Sequence, residues 1–216
     1  MLKVFIASTD IADMASYERI RLSDYRIKKI ERLRPEEGKK QSKAAGLLLA
    51  YALKESVEVD EYTMEYDDGV NGKPFFRNRP EIYFNVTHTR GICAVAISDR
   101  SVGIDAEYKM PLTPTRVKVL KKRKFFVPEE IADFSLREGI DELDCDAFYR
   151  LWTAKESAVK CSGDGIGIGF NKVVIPYFTD RCECSSGFIT AFSTDEHVIS
   201  VCSVVSDIPE VEWITE

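Results

Sequence analysis

Two short segments hold the residues best suited to chemistry. In Val102-Gly103-Ile104-Asp105-Ala106-Glu107 apolar and acidic residues alternate, which is the period of a β-strand: Val102, Ile104 and Ala106 share one face, Asp105 and Glu107 the other. The two carboxylates then stand about 7 Å apart along the strand, at about 3.3 Å per residue, and repel each other unless a cation sits between them. By itself an Asp-x-Glu pair is more often a solvent-facing feature of an edge strand, so a second segment has to change the odds. That segment is Phe148-Tyr149-Arg150-Leu151-Trp152-Thr153-Ala154-Lys155-Glu156-Ser157-Ala158-Val159-Lys160. On a helix its Phe148, Leu151, Trp152 and Val159 form a buried stripe, while Glu156 and Lys160 share one flank. An ordinary ion pair at this spacing contributes only a few tenths of a kcal/mol, but beside so large an aromatic stripe the flank is expected at the edge of a cleft.

The elements that must position these groups are legible in outline. Met1 to Ala7 reads as a first strand, Ser23-Asp24 opens a charged helix running to Arg34, and Glu36 to Glu55 carries the apolar run Ala44 to Leu53 at helical spacing. Tyr62 to Tyr66, Ile82 to Val86, Ile92 to Ile97 and Val102 to Glu107 are β-rich and separated by turn-forming residues. The second half repeats the order: Thr113 to Phe126, Pro128 to Leu136 and Asp141 to Cys161 read as helices, then Val173 to Phe178, Gly187 to Phe192 and Val198 to Val205 as strands. Segregated helices and strands predict α+β architecture with antiparallel sheets. The pattern of Gly187 to Ser203 faintly echoes that of Asn85 to Ser98, which hints at two duplicated halves, 1–101 and 102–216. The glycine-rich run Gly163 to Gly169 follows a helix rather than joining a strand to one, so it ends that helix and is no dinucleotide fingerprint.

Composition narrows the class. Of 216 residues, 44% are hydrophobic and 31% charged, enough for a core and too polar for a membrane protein. A net charge of -6 argues against a general nucleic-acid binder. The apolar N-terminal run is too short for a signal peptide, and no run approaches the roughly 20 residues of a membrane span, so a cytoplasmic protein with no membrane partner is expected. The six cysteines lack the paired spacing of a zinc ribbon and read as small buried hydrophobes with reduced thiols. His197 reads as a surface or packing residue.

Taken together, the Gly-Ile-Asp-x-Glu strand at 103–107 and the Trp-Thr-x-Lys-Glu-Ser-x-x-Lys helix at 152–160 resemble the paired signature of the Sfp-type 4'-phosphopantetheinyl transferases. Asn71-Gly72-Lys73-Pro74 resembles that family's Gly-Lys-Pro turn. Phe84-Asn85-Val86-Thr87-His88-Thr89 is similar to its Phe-Asn-x-Ser-His-Ser segment, and Arg123-Lys124-Phe125-Phe126 with Glu129 to its Arg-Phe-Phe and following acidic position. The resemblance covers essentially the whole chain.

It implies an enzyme that moves the phosphopantetheine arm of coenzyme A onto a serine of an apo acyl or peptidyl carrier protein and releases 3',5'-ADP. It implies a fold of two similar halves packed as a pseudo-dimer within a monomer. The metal ligands map onto Asp105, Glu107 and Glu156, and three hard carboxylate donors without nearby Cys or His suit Mg²⁺, with Mn²⁺ as a substitute. His88 and Lys160 are expected as catalytic groups against the coenzyme's phosphates, with Thr87 beside His88 also binding the coenzyme, Lys73 near the phosphates or adenine, and Arg26 and Lys29 at the 3'-phosphate. A later arginine of the family has no clean match; Ser42 or Lys43 falls at its place. Glu156 is a ligand, the base for the carrier serine, or both. The basic stretch Arg116 to Lys124 is either a solvated helix face or a landing strip for an acidic carrier helix. The alternatives are another Mg²⁺-dependent phosphodiester-cleaving enzyme and a catalytically silent carrier-binding module.

Overall fold

The computed structural model describes residues 1–113, 125–138, 145–165, 170 and 172–215. The expected helix Thr113 to Phe126 and the basic stretch Arg116 to Lys124 fall mainly or wholly outside the described residues, as do Ile166 to Gly169. Strand β1 (Leu2–Ser8) leads to helix α1 (Asp24–Glu31), whose N-cap Ser23 accepts the Arg26 N–H. Helix α2 (Glu36–Val57) begins with two glutamates in its first turn, has a lysine in its last, and ends at Glu58 in the left-handed region, charges and geometry suited to the two helix ends. The hairpin β2 (Tyr66–Asp68) and β3 (Pro74–Phe76) follows, then β4 (Tyr83–His88), β5 (Ile92–Ser98) and β6 (Val102–Tyr108). After α3 (Pro128–Glu138) and α4 (Cys145–Ser162) come β7 (Arg181–Cys184), β8 (Gly187–Ser193), β9 (His197–Ser203) and β10 (Glu210–Ile214).

Two four-stranded sheets carry the molecule, ordered β10-β1-β5-β4 and β6-β9-β8-β7. All their neighbours are antiparallel except β10, which joins β1 in parallel. In each sheet the second strand of a hairpin, β5 or β9, pairs with an earlier strand, β1 or β6. The echo between residues 85–98 and 187–203 therefore falls on equivalent hairpins. Helix α2 covers the outer face of the first sheet through Ala45, Leu48, Leu49 and Leu53 against Phe5, Val95 and Ile97. The inner faces of the sheets meet in a second core, where Val4 and Ile6 of β1 and Ala94 and Ala96 of β5 pack on Val102, Ile104, Ile199 and Val201. The alternation read in β6 thus points its apolar face between the sheets and its acidic face toward α4.

Helix α4 lies unusually close to β6 because residue 103 is glycine. A Cβ there would meet the Ser157 carbonyl oxygen at 2.1 Å and the Cys161 nitrogen at 2.4 Å. A second anchor is the fully buried Lys155, whose Nζ donates to both carboxylate oxygens of Glu130 at 2.8 and 2.7 Å. Glu130 also accepts the backbone N–H groups of Val127 and Ile175, so the buried carboxylate is fully engaged, the condition under which an internal ion pair is tolerated.

Two expectations fail here. Val173 to Phe178 forms no strand: its Ile175 and Tyr177 N–H groups are taken by Glu130 and Asp133 of α3 instead of a sheet neighbour. Tyr62 to Tyr66 is a 3-10 turn over Glu61–Thr63 with strand pairing only from Tyr66 onward, because Glu61 is drawn inward to Ser23 and Tyr66. His197 is buried, and its ring Nε2 meets the Arg90 carbonyl at 2.7 Å, so it packs and is not a surface residue. The glycine run ends α4 as expected, with Gly163 at φ +77° donating its N–H to Val159. No helix among the described residues is long and apolar enough to cross a membrane.

Gly103→Ala should destabilise the fold by about 2–4 kcal/mol, since the clash is with backbone that can yield only if α4 moves. Urea denaturation measures this; an unchanged midpoint would show that α4 does not depend on the glycine.

Candidate active site

Strand β6 and helix α4 bring the acidic residues together. Asp105 and Glu156 are buried and Glu107 half-buried. All three line a cleft of about 320 Å³ with Val86, Thr87, His88, Ala106 and Lys160. The cleft's other wall is the end of β4, which is fastened along the free edge of β6 by side chains. Asn85 Oδ1 accepts the Ile104 N–H at 2.8 Å, Thr89 Oγ1 accepts the Tyr108 N–H at 3.2 Å, and Thr87 Oγ1 donates to Asp105 Oδ1 at 3.3 Å. Every second residue of the Asn85-Val86-Thr87-His88-Thr89 segment thus binds β6. This explains why Thr serves at 87 and 89, since a hydroxyl is what the contacts use.

The acidic end of the cleft carries more negative charge than its partners balance. Lys160 Nζ donates to Asp105 Oδ1 at 2.6 Å and to the Ile104 carbonyl at 3.2 Å. Asp105 Oδ2 and Glu156 Oε2 are buried and find no hydrogen-bond partner among the described residues. Burial raises the Asp105 carboxyl above its usual range despite Lys160 and Thr87. Burial, and then Asp105 and Glu107 against the relief from Lys160, push Glu156 up to about 7. Orphaned buried acceptors cost about 1–3 kcal/mol each, and a hard divalent cation is the ligand that would satisfy them. The donor set of Asp105, Glu107 and Glu156 therefore fits Mg²⁺, although no three His, Cys, Asp or Glu side chains among the described residues stand as a ready-made metal cage. An ion with waters in its shell needs only a few protein oxygens, and the Lys160 ammonium holds the place of a cation at Asp105.

The opposite charge gathers beside it. The pKa of His88, on the cleft rim, is lowered first by burial and then by the positive charges of Lys160, Lys29 and Arg26. Arg26 is buried, its guanidinium 5.7 Å from the centre of the Tyr66 ring, and its Nε and Nη2 find no partner among the described residues. Lys29 is lowered by burial and by Arg26. A buried guanidinium with free donors is matched to a planar oxyanion such as phosphate.

Lys73 is placed differently from the others. Its Nζ donates to the carbonyls of Val102 at 2.9 Å and Cys161 at 3.4 Å, tying the β2–β3 turn to the end of α4, and it does not line the cleft. Lys43 donates to the Ala12 carbonyl, and Ser42 is buried in α2. Sequence reasoning missed the supports of the site: Glu61, which accepts both the N–H and the hydroxyl of Ser23 at the head of α1, Asn85 as the clasp of β6, and Lys155 with Glu130. The signals in the chain were slight: an uncharged Asn85 within a β-rich stretch, and charged Glu61, Glu130 and Lys155 next to apolar residues.

Comparisons with known proteins point to one family. A family profile described as the 4'-phosphopantetheinyl transferase superfamily matches residues 101–203, the span that holds β6 and α4. The chain is 22% identical to the 4'-phosphopantetheinyl transferase Sfp of Bacillus subtilis (strain 168) over 197 residues, covering 88% of this chain and 85% of that protein. It is 28% identical to another 4'-phosphopantetheinyl transferase of Bacillus subtilis over 144 residues, 63% of this chain and 61% of the relative. It is 34% identical to the 4'-phosphopantetheinyl transferase HetI of Nostoc sp. (strain PCC 7120) over 112 residues, 50% of this chain and 45% of that one. The profile lies on the very strand and helix that build the cleft, so over residues 101–203 the chain is similar to the 4'-phosphopantetheinyl transferase superfamily.

Proposed function

We propose that this protein transfers the 4'-phosphopantetheine group of coenzyme A to a serine of an apo acyl or peptidyl carrier protein and releases 3',5'-ADP. The observation that carries this reading is a pair of unsatisfied groups of opposite sign: orphaned carboxylate oxygens of Asp105 and Glu156 in the cleft, and the unpartnered Nε and Nη2 of the buried Arg26, whose charge is felt at His88 on the cleft rim. A divalent cation together with a phosphate-rich ligand answers both.

Asp105, Glu107 and Glu156 would hold Mg²⁺, with Mn²⁺ as a substitute. When bound, the ion supplies neutralisation of the charge that builds on the diphosphate as its bridge breaks. Lys160 and His88 line the cleft where the diphosphate would lie, with Thr87 holding Asp105 in place. Arg26 and Lys29 are suited to the 3'-phosphate. The carrier serine Oγ attacks the β-phosphorus, the bond from that phosphorus to the oxygen of 3',5'-ADP breaks, and the serine proton must leave. Glu156, whose carboxyl is poised near neutrality, is the candidate acceptor when it is not itself a ligand. Lys73 enters as a brace for α4 instead of a phosphate ligand, since its ammonium is engaged by two carbonyls. The equivalent hairpins β4–β5 and β8–β9 support an organisation in two halves, 1–101 and 102–216, packed as a pseudo-dimer within a monomer, with the last strand β10 reaching back to the first sheet. We expect it to work in the cytoplasm, with coenzyme A and a carrier protein as partners.

Incubation with coenzyme A, Mg²⁺ and several apo carrier proteins should add one phosphopantetheine to a carrier, read by intact mass. Asp105→Ala should lower the rate by at least about 10²–10³-fold. No gain on any carrier by the folded protein would favour a silent module. Arg26→Ala should raise the KM for coenzyme A by about 10–100-fold, the worth of a charge-assisted hydrogen bond, while leaving turnover of 3'-dephospho-coenzyme A unchanged. Equal losses on both substrates would take Arg26 away from the 3'-phosphate.

Protonation of Glu156 gives a third test. Its folded-state pKa of about 7 lies above its ordinary value of 4.5, so the folded protein keeps a proton that the unfolded chain has lost between those values. Its contribution to stability is complete below about 4.5 and falls as pH rises through about 7. Thermal melts without divalent metal should show this decline. Glu156→Gln should flatten it, and Mg²⁺ should restore stability at the alkaline end. An identical pH profile in the variant would mean that Glu156 is not the strained group.

A further inference from the structure

Arg26 rests on two supports, and one buried side chain holds both. Glu61, in the 3-10 turn Glu61–Thr63, is 1% exposed. Its Oε2 accepts the Ser23 N–H at 2.7 Å, and its Oε1 accepts the Ser23 hydroxyl at 2.8 Å together with the Tyr66 hydroxyl. Ser23 is the N-cap of α1, and its Oγ in turn accepts the Arg26 N–H at 3.4 Å. Tyr66 is the ring beneath the side chain: the guanidinium carbon of Arg26 lies 5.7 Å from its centre. Tyr25 stacks on Tyr66 at 4.4 Å, while Phe76 and Phe84 meet it edge-on at 4.9 and 5.9 Å, so the ring has little room to turn. A carboxylate takes donors at two oxygens where an amide offers one. All three donors to Glu61 are neutral, so its buried charge is satisfied without Nε or Nη2 of Arg26, which find no partner among the described residues.

We propose that Glu61 is a positioning residue for the coenzyme's 3'-phosphate, which holds the Arg26 guanidinium open through Ser23 and Tyr66; this rests on the reading of Arg26 given above. One carboxylate fixes both the cap of the helix from which Arg26 springs and the ring on which its side chain lies. A guanidinium recognises a phosphate by the directions of its N–H bonds, so its orientation matters as well as its charge. Side chains locked by packing and hydrogen bonds are what set such an orientation. The charge of Glu61 by itself works against the ligand, since a carboxylate near Arg26 weakens the pull on an anion. Glu61 therefore favours a phosphate only through geometry, and its two effects have opposite signs. Glu61→Gln separates them, because it keeps the size, removes the charge and turns one acceptor into a donor facing Ser23 or Tyr66.

Calorimetric titration of the full chain with coenzyme A and with 3'-dephospho-coenzyme A, both with Mg²⁺, tests this in wild type, Arg26→Ala, Glu61→Gln and the double variant. Glu61→Gln should weaken coenzyme A by about tenfold and leave the dephospho form unchanged. In the Arg26→Ala background the same substitution should add less than about twofold, since it acts through the residue already removed. Should Glu61→Gln fail to fold, Tyr66→Phe removes a single hydroxyl and should show the same selective loss at about threefold. Coenzyme A binding as tight as wild type or tighter in folded Glu61→Gln, with a selective loss in Arg26→Ala, would overturn the proposal and leave the reading of Arg26 standing. Equal losses on the two ligands in Glu61→Gln, or no selective loss in Tyr66→Phe, would assign Glu61 to stability alone and also overturn it. No selectivity in Arg26→Ala would remove the reading of Arg26 and the proposal together.

Discussion

The seating of helix α4 on strand β6 is the contact on which the rest of the molecule depends. It requires a position on the strand with no side chain, and Gly103 supplies it where a Cβ would strike the helix backbone. Close seating places Glu156 and Lys160 beside Asp105 instead of a layer of side chains away. The helix cannot slide, because Lys155 is held by both oxygens of Glu130 and Thr153 meets Ser200 of β9 at 2.7 Å. A precise seat of this kind is what a site of few, short-range contacts needs, since errors of an ångström matter there.

The cleft stores charge imbalance on purpose. Most buried polar atoms in a folded protein are satisfied, yet in the cleft Asp105 Oδ2 and Glu156 Oε2 are not, nor are two donors of the buried Arg26. Neutral replacements would relieve that burial cost, and ligands of both signs, as proposed above, would offset it. Lys160 fits between the two regimes, pairing with Asp105, while burial, and then the charges of Lys160, Lys29 and Arg26, keep His88 less basic than usual. The positive side has its own scaffold. Glu61, 1% exposed, holds Ser23 and Tyr66, and so orients α1 without spending its charge directly on the Arg26 donors that remain open.

Clasping two sheet edges together is the other structural solution. β4 and β6 are both terminal strands of their sheets, and open edges invite pairing with other chains. Asn85 and Thr89 cover β6 with side-chain hydrogen bonds, and the acidic residues of β6 remain directed at the cleft. The same segment therefore closes an edge, joins two sheets and lines the site.

Local pattern was enough to read a good deal of this from the chain. The alternation at 102–107 has only one way to lie in a strand, and the spacing of Phe148, Leu151 and Val159 only one way to lie on a helix, so the sides on which Asp105, Glu107 and Glu156 emerge were determined before any fold was known. Which partners those sides meet was not, because contacts such as Lys155 with Glu130, or Asn85 with the Ile104 N–H, join residues whose separation along the chain carries no periodic signal. The same limit applies to Lys73, whose turn could have faced solvent or ligand but faces two carbonyls. It applies to 173–178, which has a strand's composition but gives N–H groups to carboxylates. Pattern decides which face a residue takes; only packing decides what lies across from it, since burial energy depends on the shape of both surfaces at once.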